Sequence, residues 1–362
     1  MQFNKENSKK NLPSRTFICF LALVMSLDII NHYKPESTVL TKISGFIDRH
    51  ESFVLTTHIG SDADGIGSQV GFAMLLEALG KKVLIINNER PTNNLSFLDP
   101  EKRIKDINDI PAKDLPSLFD NSFVFILDSS EPARSKKVAD SFLDNNTPWA
   151  TIDHHDLPEQ ENFCIDPSYA ATAELIWDVY RFYKVDISKQ AALSLYGGLV
   201  ADSGNFRYGK TSMRTHLAGG HLLESGIDTD QVYRALYESH PVDRLRYTER
   251  IIKKAIINKE KGYIAGIIVK KMRKGLDLGD SPNEGIVNQL LAAKGIRLAA
   301  LMTETDDGQL KCSLRSIGNI DVNKMAATFG GGGHKNAAGF KANMKFRKAR
   351  KAVITLIDET LS

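Results

Sequence analysis

The chain has 362 residues, 42% hydrophobic and 25% charged, a globular composition at a length that suggests two domains. Its formal net charge of +3 is too near balance for a long nucleic-acid footprint but leaves room for a small anionic substrate. Cys19, Cys164 and Cys312 lie far apart with no CxxC pair, which argues against a disulfide framework or a zinc–thiolate site and favours a reducing cytoplasm.

At the N-terminus, Lys9, Lys10 and Arg15 precede an apolar run from Phe17 to Leu27 that Asp28 closes. The run is short for a bilayer span and has no obvious small-x-small cleavage site. Residues 1–36 therefore read as a leader or N-terminal extension outside the fold, with Met25 as an alternative start. Val39, Leu40, Ile43, Phe46 and Ile47 then predict a helix ending near His50. A strand near Phe53–Thr57 runs into the stretch from Thr57 to Ser68, where His58, Asp62 and Asp64 sit on a glycine-containing turn. Gly65 and Gly67 are expected to let that backbone turn sharply. A helix from Gln69 to Leu79 follows, capped by Gly80, and then a doubly buried strand over Lys82–Asn87.

Residues 88–120 read as loop-rich with short helical pieces. Apolar strands over Ser122–Leu127 and Trp149–Ile152 end at Asp128-Ser129-Ser130 and at Asp153-His154-His155. Helices are predicted near Ala173–Tyr183 and Lys189–Val200, followed by a Gly-punctuated segment with Asp202 and Arg207. Trp177, Tyr180 and Tyr183 recur at a spacing of three on the first of these and read as core or interface, while His216, His221 and His240 read as structural. Amphipathic helices over Ser212–Glu224 and Thr229–Glu238 lead to a charged helix from Pro241 to about Lys254, a candidate linker.

After Ile256 the pattern changes to a strand over Tyr263–Val269, a helix over Glu284–Ala293 and a hairpin around Asp306-Asp307-Gly308. The Gly330–Gly333 run with His334 and a basic helix from Lys345 complete the chain. The expected fold is α/β. A domain over 37–235 carries a mainly parallel sheet, 236–256 forms a linker helix, and 257–362 forms a smaller α+β domain, with the active site in the cleft between the two domains.

Three apolar strands stop at Thr57, Leu127 and Ile152, and acids or histidines follow each directly. Parallel α/β sheets bind ligands beyond the carboxyl ends of their strands, so His58, Asp62, Asp64, Asp128 and His154, with Asp202 from a helix end, are expected at one edge. That many acids repel one another unless cations are bound. Oxygen and imidazole donors suit Mn²⁺, with Mg²⁺, Fe²⁺ or Zn²⁺ less clearly excluded. Six side chains are enough for two ions if one acid bridges, an arrangement suited to hydrolysing phosphate esters.

The Asp153-His154-His155 triplet, the His58-x-x-x-Asp62-x-Asp64-Gly65 turn and the Gly330–His334 run together resemble the DHH phosphoesterases with a DHHA1 domain. Within that family the order of motifs is similar to the NrnA-like branch of oligoribonucleases and 3'-phosphoadenosine-5'-phosphate phosphatases. The resemblance implies that His58 and Asp62 hold one metal, that Asp64, His154 and Asp202 hold the other, and that Asp128 bridges them. It implies that His155 is catalytic at the scissile phosphate and that Asp153 supports the histidines, with Arg207 a further supporting cation. Arg315, Gly331, Gly332, Gly333 and His334 match nucleotide-binding positions, where glycine N–H groups form an anion nest. Gly60-Ser61-Asp62-Ala63-Asp64 stands where many relatives have Asn-Pro-Asp-Gly-Asp, a change in loop stiffness that keeps the metal-type positions. The implied activity is Mn²⁺-dependent hydrolysis of short RNA to mononucleotides in the cytoplasm. The alternatives are cyclic or linear dinucleotide turnover, exopolyphosphatase-like chemistry, and a nucleotide-binding regulator with a dead metal site. Short RNA, dinucleotides and small nucleotide phosphates are the expected partners. Long nucleic acid and stable membrane insertion are not expected, and a homodimer stays open.

Overall fold

A computed structural model describes residues 33–35, 37–129, 131–156, 160–279 and 282–361. The apolar run at Phe17–Leu27 and the alternative start at Met25 lie outside these residues. The chain divides into two compact units, the second beginning at Tyr233 and including Thr92–Asn94.

The first unit is built on six parallel strands in the order β3-β2-β1-β4-β5-β6. These are β1 (Ser52–Thr56), β2 (Lys82–Asn87), β3 (Ile104–Asp106), β4 (Phe123–Leu127), β5 (Trp149–Asp153) and β6 (Phe163–Ile165). Helix α1 (Thr38–Arg49) precedes β1, and α2 (Ala63–Ala78) follows it. Helices α3 (Leu115–Phe119) and α4 (Lys136–Asp144) flank β4. Beyond β6 come α5 (Thr172–Tyr183), α6 (Lys189–Asp202), α7 (Met213–Leu223) and α8 (Thr229–Tyr237), whose residues from Tyr233 on belong to the second unit. Every residue of β4 is buried, as expected of a central parallel strand covered on both faces. Strand order reverses between β1 and β4, the place where doubly wound sheets open a ligand crevice.

Helix α2 begins six residues earlier than the sequence pattern predicts. Asp62 caps it, its Oδ1 accepting from the N–H groups of Asp64 and Gly65 at 3.1 Å each. The two glycines therefore serve packing inside a helix and not a sharp turn. A Cβ on Gly65 would stand 2.7 Å from Thr57 Oγ1, and one on Gly67 would stand 2.2 Å from the carbonyl oxygen of Ser194 on α6. Alanine normally gains about 1 kcal/mol over glycine inside a helix. Overpacking costs about 1–3 kcal/mol and here meets rigid backbone, so Gly67→Ala is expected to lower the midpoint of chemical denaturation. An unchanged or raised midpoint would mean that the α2–α6 contact tolerates a methyl group.

Two short strands lie in segments with no clear strand pattern. Edge strands β3 and β6 have three residues each, too few for apolar alternation to register. Tyr33, in the stretch expected to lie outside the fold, stacks on Trp177 at 5.4 Å, and its hydroxyl donates to Asp178. Trp177 and Tyr180 are buried core residues on α5, and His221 accepts a hydrogen bond from the Trp177 indole.

The second unit carries a mixed sheet in the order β11-β12-β10-β9-β8-β7. Its strands are β7 (Ile256–Asn258), β8 (Tyr263–Ile268), β9 (Leu298–Glu304), β10 (Leu310–Ser316), β11 (Gly332–His334) and β12 (Ala337–Ala342). Its helices are α9 (Asp243–Lys254), α10 (Ile286–Leu291), α11 (Val322–Ala327) and α12 (Phe346–Thr360). Helix α9, expected as a linker, buries Tyr247 and Ile251 against Ile264, Ile268 and Leu301 of this sheet. Those two apolar residues, four apart on a charged helix, form one stripe. The glycine-rich run is partly strand, because Gly332–His334 pairs antiparallel with Ala337–Gly339. A Cβ on Gly331 would stand 2.3 Å from the carbonyl oxygen of Gly339, so this glycine answers to backbone contact within the hairpin. Among the described residues no helix is long and apolar enough to cross a membrane.

Candidate metal centre

The carboxyl ends of β1, β4 and β5 supply most of the site. Just past β1, His58 Nδ1 meets its neighbour's carbonyl, Ile59 O, at 2.9 Å, which leaves Nε2 towards Asp128 Oδ2 at 3.7 Å. Asp128 stands one residue past β4 with φ of +54°, a left-handed conformation uncommon outside glycine, while its N–H still donates to Ile152 O. Past β5, His154 Nε2 lies 3.0 Å from Asp202 Oδ2, 3.7 Å from Asp128 Oδ1 and 3.9 Å from Asp64 Oδ2. Asp64, Asp128 and His154 are 1%, 3% and 2% exposed, so these charges sit where water screens them little.

Two groups of donor atoms, each within 4.8 Å, emerge: His58, Asp62 and Asp128, and Asp64, His154 and Asp202. A third set of the same tightness contains Asp128, Asp153, His154 and His155. Asp128 faces His58 with one oxygen and His154 with the other, each at 3.7 Å. Asp62 is exposed and doubles as the cap of α2.

The electrostatics fit bound cations. Burial pushes the Asp64 carboxyl up to about 7, with the charge of Asp202 adding to it and His154 opposing. Burial, then the charges of Asp64 and Asp62, hold Asp128 well above the usual carboxylate range. Burial would lower the His154 imidazole, but the hydrogen bond and charge of Asp202 carry it up to about 9. Hard carboxylate oxygens and imidazole nitrogens in a buried cluster that strains to hold its charge are a donor set for divalent cations.

His155 Nδ1 lies 2.6 Å from Asp153 Oδ1, the same oxygen that accepts from the N–H groups of His154 and His155. One carboxylate thus fixes the turn and the second imidazole together. Burial would raise Asp153, but the hydrogen bond and charge of His155 outweigh it and hold the carboxyl below its ordinary value. Arg207 is exposed and stacks on Tyr208 at 5.2 Å. Lys210, which carries no sequence motif, sends Nζ 2.8 Å from the carbonyl oxygen of His154. In the second unit Arg315 Nη1 donates to Leu314 O, and His334 lies on β11.

Residues 52–199 match the DHH family, N-terminal domain, and residues 260–360 match the DHHA1 domain. The chain is a DHH–DHHA1 protein. It is 27% identical over 288 residues to the Thermus thermophilus protein named bifunctional oligoribonuclease and PAP phosphatase NrnA, spanning 79% of this chain and 82% of that one. It is 26% identical over 326 residues to a Listeria monocytogenes protein named cyclic-di-AMP phosphodiesterase PdeA, spanning 86% of this chain and 48% of that one. The fold matches a Bacteroides fragilis exopolyphosphatase-related protein with a TM-score of 0.81 at 25% identity, over 89% of this chain and 96% of that one. In this DHH domain the first histidine of the Asp153-His154-His155 triplet joins the buried acid cluster, and the second turns to Asp153.

Proposed function

We propose that this DHH–DHHA1 protein is a two-metal phosphoesterase that hydrolyses short oligoribonucleotides from one end to mononucleotides, with 3'-phosphoadenosine-5'-phosphate as a second substrate. The observation that carries the reading is Asp128, which faces His58 with Oδ2 and His154 with Oδ1, each at 3.7 Å. His58 and Asp62 would hold one ion, Asp64, His154 and Asp202 the other, and Asp128 both; Mn²⁺ suits these donors. When bound, such a pair supplies an activated water and neutralises charge on the phosphoryl oxygens. His155, oriented through Nδ1 by Asp153, presents its other edge to the leaving oxygen and steadies the charge there. In the second unit, Arg315 and the Gly331–His334 hairpin would take the nucleotide's phosphate, Arg315 through its planar fork. The names of the relatives support the substrate class, and the balanced charge favours short RNA over long polymers in a cytoplasmic setting.

The relative named for cyclic-di-AMP, matched over 86% of this chain, favours a second reading, turnover of cyclic or linear dinucleotides. The two readings separate on a panel assayed with Mn²⁺: RNA dinucleotide, short and long RNA, cyclic dinucleotide, polyphosphate and 3'-phosphoadenosine-5'-phosphate. Fastest turnover is expected on the RNA dinucleotide and short RNA, and a preference for cyclic dinucleotide or polyphosphate would replace this reading. Arg315→Ala is expected to raise KM for nucleotides while leaving hydrolysis of bis-p-nitrophenyl phosphate nearly unchanged. Equal losses on both would remove Arg315 from nucleotide binding.

A further inference from the structure

The segment from Tyr169 to Ala173, which connects into α5, touches three residues of the acid cluster. The Tyr169 carbonyl lies 3.3 Å from His154 Nδ1. The N–H groups of Thr172 and Ala173 donate to Asp64 Oδ2 and Oδ1 at 2.7 and 2.8 Å. The Thr172 hydroxyl donates to Asp128 Oδ1 at 3.1 Å. All of these groups are buried.

We infer that Thr172 is a positioning residue that fixes the rotation of the Asp128 carboxylate so that each oxygen faces one half of the metal centre. A carboxylate turns about its last side-chain bond in a broad well, so neither oxygen is aimed by the backbone alone. The threonine hydroxyl engages Oδ1, the oxygen nearer His154, and this leaves Oδ2 to face His58. Threonine suits the task because its branched side chain has few χ1 options. The backbone N–H of the same residue holds Asp64, which belongs to the other donor group. Thr172 thereby ties the two groups to one rigid point at the start of α5. Tyr169 is anchored in turn, its hydroxyl donating to the buried Asp178 at 2.7 Å. This inference rests on the two-metal reading above. It adds a residue that contacts neither ion nor substrate and acts through Asp128.

The test is Mn²⁺ binding to the full chain, followed by calorimetry and by the electron paramagnetic resonance signature of a coupled Mn²⁺ pair. Thr172→Val and Thr172→Ala remove the hydroxyl and keep the backbone N–H. Outer ligand-orienting contacts are worth about 10- to 100-fold in metal affinity, and a loss of that size is expected in at least one site, with a weakened coupled signal. Thr172→Ser retains the hydroxyl and is expected to restore both. Melting in excess chelator reports whether each variant folds, and Thr172→Ala adds no methyl to the crowded site if the valine is not tolerated. A wild-type chain that binds an Mn²⁺ pair, beside alanine and valine variants that bind the same pair with equal affinity and the same spectrum, overturns this inference alone. A wild-type chain that takes up no Mn²⁺ overturns the two-metal reading and the role of Thr172 with it.

Discussion

Asp128→Ala is expected to lower Mn²⁺-dependent release of mononucleotide from a labelled RNA dinucleotide by about three orders of magnitude, the loss that follows when several kcal/mol of charge stabilisation is removed at ~1.4 kcal/mol per tenfold. Other acids of the cluster face one donor group, whereas Asp128 stands between two. Removing it therefore weakens both halves together, and the Mn²⁺ stoichiometry should fall with activity. Asp62→Ala makes the comparison informative. Asp62 is exposed, belongs to one group and also caps α2, so its loss should weaken one ion and cost roughly 1 kcal/mol of helix stability. If Asp128→Ala keeps full activity, or loses no more than Asp62→Ala, Asp128 is not the bridge.

The placement of this cluster was legible because three uninterrupted apolar runs end in polar residues. A strand buried on both faces leaves a strong signal, and the sheet rule says which end carries chemistry. Strands β1, β4 and β5 agree with prediction within two residues at each end. What sequence pattern missed has a common cause in packing. Gly65 and Gly67 read as turn residues, but they lie inside α2 because α6 and Thr57 approach too closely for a side chain. The glycine-rich run near Gly331 carries no apolar strand pattern, yet part of it is an edge strand held by β12. Thr172 and Lys210 had no signal at all. A threonine at a helix start and a lysine in a loop are ordinary in sequence, and only the tertiary approach of α5 and of the segment after Asp202 brings them to the acid cluster.

With metal stripped by chelator, the protein is expected to melt several degrees higher at pH 5.5 than at pH 8.5. Asp64 in the folded chain titrates at about 7 against an ordinary 3.8, so between those values the folded state holds a proton that the unfolded state has lost. Stability therefore falls as pH rises through that window. Asp128, also held well above the usual carboxylate range by burial and its acidic neighbours, acts in the same direction. His154 is raised from 6.5 to about 9, so its contribution is complete below 6.5 and is lost as pH rises through 9. Asp153 is lowered and contributes stability that disappears only in acid, which places the optimum of the metal-free chain in mildly acidic solution. Each kcal/mol is worth about 2–4 °C in a domain of roughly 200 residues, so the combined effect is measurable by scanning calorimetry. Mn²⁺ should reverse the trend, because a divalent ion takes the place of those protons and binds more tightly as they leave. The increase in melting temperature on adding Mn²⁺ should thus grow from pH 5.5 to pH 8.5. It should shrink in Asp128→Ala, which lacks one of the titrating acids as well as the proposed bridge. A metal-free chain whose melting temperature is flat or rising over this range would show that the acid cluster does not carry its charge at such a cost.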